Sequence, residues 1–222
     1  MNPIVLLIVS LAGVIAARIW LGHALSRARD VTAAGGLTGA EVASRLLAAS
    51  GLERVAVERI DADAGSDHYD RRARVVRLSS DVHDSDSVHA VAIAAHEVGH
   101  AVQDARATIM FRARATLAPV AFAASFGWIM VFIVGAFVFR SAGLVAVAVL
   151  LYALVVLFEL ITLPVEIDAS RRAMRLISAE GLLIETERPI ARSVLRAAAL
   201  TYLVVALAAV LQLVQMALEG ED

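Results

Sequence analysis

The sequence predicts a mainly α membrane protein, with four transmembrane helices and a small α+β unit outside the bilayer. Three observations lead there. Hydrophobic residues make up 59 % of the 222 and the mean hydropathy is +0.75, more than the core of a soluble domain can absorb. Four apolar stretches, about 3–22, 115–139, 142–164 and 197–218, are each long enough to cross a hydrocarbon layer of roughly 30 Å as a helix. The charged residues collect between them, in segments 23–114 and 165–196, where helix and strand patterns alternate.

Residues 1–22 read as the first transmembrane helix. Ala16-Ala17 raise the alternative of a cleaved signal, but no cationic region precedes the apolar run, which is also longer than a signal needs. Segment 23–114 reads as the α+β unit. Thr38-Gly39-Ala40-Glu41 has the spacing of a capping box, Val42, Leu46 and Leu47 form an apolar stripe, and Gly51 stands at a stop, so a helix is expected over about 38–50. Val55 and Val57 alternate with polar neighbours and precede a turn at Asp61 to Ser66, and Arg74-Val75-Val76-Arg77-Leu78 reads as a second strand. If that strand is a sheet edge, an extended peptide can pair with it. Asp84-Ser85-Asp86-Ser87 offers caps for a helix running to about Arg106.

Residues 115–164 form a transmembrane hairpin, because only Arg140-Ser141 and Ala142-Gly143 separate its two apolar runs. Segments 23–114 and 165–196 therefore share one face of the membrane, and 197–222 supplies the fourth span and a tail. Arg27, Arg29, Arg112, Arg114, Arg171, Arg172, Arg175, Arg188, Arg192 and Arg196 lie on the shared side against Arg140 alone on the other, which makes the shared side cytoplasmic. Arg18 can snorkel to the same surface.

The composition excludes several classes of function. There is no cysteine, so neither disulfides nor a thiolate metal site is available, and a transition metal must rest on His, Asp or Glu. A formal charge of -2 argues against a nucleic-acid partner held on a broad basic face.

The chemistry concentrates at His96-Glu97-Val98-Gly99-His100. Residues four apart on a helix share a face, so His96 and His100 can both aim a ring nitrogen at one ion about 2.0–2.1 Å away. Glu97 lies about 100° round the helix from His96, where it can reach a water on the metal without entering the coordination shell. Two histidines bonded to backbone carbonyls, with Glu97 paired to an Arg, would be the structural alternative. Three ionisable groups in one turn of the Ala/Val/Ile-rich stretch Ala90 to Val102 are costly to bury without a metal.

Zinc keeps an open position for water when three protein ligands hold it. The topology brings Leu163-Pro164-Val165-Glu166-Ile167-Asp168-Ala169-Ser170 to the face that carries the histidines. Glu166 would complete a two-His, one-Glu set, with Asp168 competing for the same role or acting behind it by accepting the other N–H of a ligand histidine. The alternative is two solvated carboxylates paired with Arg171 and Arg172. His68 and Tyr69 are candidates to donate to the oxyanion formed when water attacks a peptide carbonyl, or serve only to hold a loop. Glu159, inside the third span, either pairs with an Arg near the membrane end or is functional.

Asp67-His68-Tyr69-Asp70, the strand end Arg77-Leu78-Ser79, Ala94-Ala95-His96-Glu97-Val98-Gly99-His100-Ala101-Val102-Gln103 and Leu163 to Ala173 together resemble the YugP-type bacterial neutral zinc metallopeptidases, membrane-embedded relatives of the HtpX-type peptidases. The resemblance covers nearly the whole chain, in order. It implies a zincin-like catalytic unit with the HExxH pattern on a helix, Zn2+ bound by His96, His100 and Glu166, and Glu97 as the catalytic residue. The family's Asp-His-Tyr-Asp-Pro turn reads Asp-His-Tyr-Asp-Arg here, at Asp70-Arg71.

The expected function is a multi-pass endopeptidase of the bacterial inner membrane that hydrolyses peptide bonds at the cytoplasmic surface. Its partners are a protein or peptide substrate and the lipid bilayer, with no nucleic acid. A protease cutting inside the membrane fits less well, since Gln103, Asp104 and Arg106 follow the histidine helix. The rival from another class is a transporter or scaffold with a structural metal site and Glu159 and Arg18 as pathway charges.

Overall fold

The computed structural model describes residues 3–61 and 66–219. Contacts divide it into two compact units. One takes α1 (Pro3–Arg29) as far as Ala17, the stretch Ile109–Val165 and the chain from Thr201; the other takes Arg18–Thr108 and Glu166–Leu200.

The second unit begins its fold with α2 (Gly39–Ala49), and the capping box is formed: the Thr38 hydroxyl accepts from the Glu41 N–H while the Glu41 carboxylate accepts from the Thr38 N–H at 2.8 Å. Gly51, at φ +70°, takes the left-handed conformation that releases the chain after the helix. Three strands follow, β1 (Ala56–Ile60), β2 (His68–Asp70) and β3 (Val75–Ser79). Most of the turn expected between Asp61 and Ser66 lies outside the described residues. The strand order is β1-β3-β2, with β1 parallel and β2 antiparallel to β3.

That order corrects one expectation. The strand at Arg74 to Leu78 is not an edge but the centre of the sheet, paired on both sides, so no substrate can add to it. Its composition agrees: Val75, Val76, Leu78 and Ser79 are all buried, as a strand covered on both faces requires. β2 has no apolar alternation by which a strand could be predicted, and it takes the edge place instead.

A short helix, α3 (Ser80–His83), leads to α4 (Val88–Ala105), whose first turn is capped by the Ser87 hydroxyl accepting from the Ala90 N–H. α4 is buried from Val88 to Gln103 except at Ile93, which places its ionisable side chains inside the unit. Val42, Leu46 and Leu47 of α2, Val76 and Leu78 of β3, and Val91 and Val98 of α4 share one apolar core with Ala173 and Ile177 of α6 (Ala142–Ala179) and Val194 and Leu195 of α7 (Arg188–Glu219).

The first unit is helical. α5 (Ile109–Ile133) ends in a π-helical turn, Val134–Val138, and turns back into α6 through Arg140 at φ +47°. Among the described residues three helices are long and apolar enough to cross a membrane: Ile109–Val138, Ala142–Ala179 and Arg188–Val214. The first expected span, 3–22, falls on α1, and most of its first half lies outside the residues whose side chains are described. Phe122, Phe126, Phe137 and Leu150 point outward from the protein, as lipid-facing residues do. Inside, Tyr152 donates to Gln212 Oε1 at 3.1 Å, and its ring lies 4.7 Å from that of Trp128 with the planes inclined at 54°.

α6 runs on through Pro164 without a break. The segment expected to begin a separate polar stretch at 165 is therefore helical, and at four-residue spacing Glu166 and Ser170 fall on one face while Asp168 and Arg172 fall on another.

Candidate metal centre

Helix periodicity decides what α4 presents. His96 and His100 stack on one side with ring centroids 4.8 Å apart and planes at 86°. Glu166 of α6 meets them: its Oε2 lies 3.2 Å from His96 Nε2 and 3.5 Å from His100 Nε2. All three side chains are buried, and their candidate ligand atoms lie within 4.8 Å of one another.

This donor set fits zinc. Ligands about 2.0–2.1 Å from a tetrahedral ion stand roughly 3.3 Å from each other, close to the two histidine–carboxylate separations. Two imidazoles and a carboxylate are one of the donor sets of catalytic zinc. Three buried titratable groups that converge on one point are what a cation site provides.

The two helices can approach this closely because position 99 is glycine. A Cβ there would sit 2.7 Å from the Ala169 carbonyl oxygen and 3.3 Å from its Cα, so the α4 backbone between the two histidines rests on the α6 backbone three residues past Glu166.

Glu97 is buried beside the set and its Oε2 accepts from the Tyr69 N–H at 2.9 Å. Burial pushes its carboxyl up to about 7, with the charges of Glu166 and Asp67 adding to the rise and His96 opposing it. Tyr69 therefore faces Glu97 with its backbone. Its hydroxyl donates to Asp104 Oδ2 at 3.0 Å, and burial together with that bond raises it to about 12. Arg71 pairs with the same carboxylate at 2.8 Å. His68 is exposed, with its Nδ1 2.8 Å from the Ser66 carbonyl oxygen. Asp67 holds the start of β2 to the end of β3, accepting from the N–H and hydroxyl of Ser79 at 2.7 and 3.0 Å.

Asp168, expected to accept the N–H of a ligand histidine, is bonded to Gln103 and Arg172 instead. Its Oδ2 accepts from Gln103 Nε2 at 2.8 Å and from Arg172 Nε at 2.7 Å. Gln103, 1 % exposed, stands between it and His100, with Oε1 2.9 Å from His100 Nδ1. His96 Nδ1 lies 3.3 Å from the Ser170 hydroxyl. Neither Gln103 nor Ser170 was singled out from sequence. The signal for Gln103 was its place three residues after His100, on the same helix face.

Fold and site together define a membrane protein with a buried group of two imidazoles and one carboxylate that could hold a metal ion. Residues 3–219 match the family model described as "putative neutral zinc metallopeptidase". The chain is also 40 % identical over 195 residues to the "putative membrane protease YugP" of Bacillus subtilis (strain 168), an alignment covering 86 % of each protein. It belongs to the neutral zinc metallopeptidase family. No solved structure matches it.

Proposed function

We propose that this protein is a membrane-bound zinc-dependent endopeptidase that cuts peptide bonds at the cytoplasmic face of the bacterial inner membrane. The observation that carries the reading is Glu97: a buried carboxylate beside, and not within, the His96, His100 and Glu166 set. Zinc held by those three side chains would act as a Lewis acid and bring the pKa of water toward about 7.

The protein's own residues supply the rest. Glu97 takes a proton from the attacking water and returns it to the leaving amine. The Tyr69 N–H fixes the orientation of that carboxylate from β2. Because β2 is an edge strand beside Glu97, an extended, unfolded segment adding along its outer side would lie next to the base, bound through main-chain hydrogen bonds with little sequence preference. The topology that goes with this reading has four spans, α1 included, with 23–114 and 165–196 in the cytoplasm on the strength of the arginine distribution.

The rival, a transporter or scaffold with a structural metal, expects a closed shell of four protein ligands. Three clustered donors among the described residues favour the open site of an enzyme. Metal content and hydrolysis of an unfolded protein, measured side by side for wild type and Glu97→Gln, test the proposal. A variant that keeps its zinc and loses hydrolysis supports it, and hydrolysis within tenfold of wild type refutes the assigned base.

A further inference from the structure

The contacts behind His100 form a chain in which each donor is forced by its neighbour. Arg172 is a donor only. It engages Asp168 Oδ2 at 2.7 Å, and that oxygen can only accept. The group of Gln103 that meets the same oxygen at 2.8 Å must then be its NH2, since an amide oxygen there would face a carboxylate. With the NH2 committed, Gln103 Oε1 is the atom left facing His100 Nδ1 at 2.9 Å, so Nδ1 must carry hydrogen. A neutral imidazole with Nδ1–H has its lone pair on Nε2, the atom 3.5 Å from Glu166. His96 has no such constraint, because the hydroxyl of Ser170 beside its Nδ1 can donate or accept.

We infer that Gln103 is a positioning residue for the metal centre, an amide relay that takes its orientation from the Asp168–Arg172 ion pair and imposes the metal-binding tautomer on His100. This rests on the zinc peptidase reading and adds to it the residues that keep one ligand nitrogen available. Burial supports the assignment: Gln103 is 1 % exposed, so water has little access to replace its bonds to His100 and Asp168. The relay also links the two helices that build the site, since Gln103 and His100 are on α4 while Asp168 and Arg172 are on α6.

A merely structural Gln103 and a relay make opposite predictions for a double substitution. In Asp168→Ala the amide is free to turn its NH2 toward His100. In Asp168→Ala combined with Gln103→Glu there is nothing to turn, because both oxygens of a carboxylate accept, and Arg172 remains to balance the charge. The experiment is zinc affinity of the full-length, detergent-solubilised protein by competition with a chelator, with the helix content of each metal-free variant checked by circular dichroism. Gln103→Leu and Asp168→Ala should each weaken zinc binding about 10 to 100-fold, and the double variant should return to within about threefold of wild type. A double variant that binds zinc as weakly as Asp168→Ala, or more weakly, overturns the relay. Should the variants show this order of affinities while wild type hydrolyses no peptide, the peptidase reading fails and the relay stands. If wild type hydrolyses peptides and the double variant is not rescued, the relay alone fails.

Discussion

Gly99→Ala adds one methyl group to the protein, and the structure says where it goes. The new Cβ would stand 2.7 Å from the Ala169 carbonyl oxygen, against an ordinary contact distance of at least 3.4 Å, so α4 and α6 must part by about 0.7 Å (3.4 − 2.7). Both sides of the contact are backbone, and no side-chain rotation can relieve it. Stability reports this poorly: overpacking costs about 1–3 kcal/mol, while replacing a helical glycine by alanine returns about 1 kcal/mol. The metal centre reports it well. His96 and His100 move with one helix and Glu166 with the other, so separations of 3.2 and 3.5 Å open toward about 4 Å, beyond the roughly 3.3 Å that tetrahedral zinc ligands require. We expect zinc affinity to fall at least tenfold and turnover about 100-fold, the penalty of misplacement on the ångström scale. Chelator competition and hydrolysis of an unfolded protein measure the two effects. Gly127→Ala is the control, since its Cβ meets only Leu151 Cδ1 at 3.9 Å. A Gly99→Ala protein with zinc affinity within threefold of wild type and undiminished turnover would refute the claim that this backbone contact sets the site.

Glu97→Gln should retain zinc and lose hydrolysis, read by metal content and peptide release on the same sample. Glu166→Ala should yield protein free of zinc after mild chelation, because it removes one of three direct ligands; retention of zinc would send the search for the third ligand elsewhere. The chain has no native cysteine, so cysteines placed at Ser66 and Ser178 should both be labelled from the cytoplasmic side, and labelling from opposite sides would refute the four-span topology. His89 sets a pH dependence. It is 3 % exposed with no partner for Nδ1, and burial, aided by the charge of Arg29, lowers it to about 4 from 6.5. The folded state thus keeps His89 neutral where the unfolded chain is already protonated. Its contribution is flat above pH 6.5 and stability is lost as the pH falls from 6.5 to 4, by about 3 kcal/mol at most. Denaturation of metal-free wild type and His89→Leu at pH 7.5 and 4.5 should show a smaller loss in the variant.

What could be read from the sequence was whatever is decided within a few residues. The capping box at Thr38 and Glu41, the stop at Gly51 and the cap at Ser87 depend on local hydrogen bonds, and all appear where they were expected. Strand order was not legible. Val75 to Ser79 reads as a strand wherever it sits, and whether it is central depends on β1, nearly twenty residues away, and on β2, whose three residues show no apolar alternation. The continuation of α6 through Pro164 was also hidden, because a change from apolar to polar composition marks the end of a membrane span and not the end of a helix.

The site divides in the same way. His96, His100 and Glu166 could be nominated because few side chains bind zinc and topology limited where the third could come from. Glu97 followed from a single turn of helix. The hydrogen bonds behind the ligands depend on where two helices cross, and that crossing is set by Gly99 against Ala169. Asp168 was expected to accept the N–H of a ligand histidine directly. Once the backbones are in contact, the gap between Asp168 and His100 is filled by Gln103. The intervening amide changes the chemistry: a carboxylate would accept the histidine N–H whatever its rotamer, whereas an amide does so in only one of two orientations and needs a charged neighbour to select it. Residue type therefore sufficed to nominate the three side chains that the structure brings together, while the contacts behind His100 are a property of the packed helix pair.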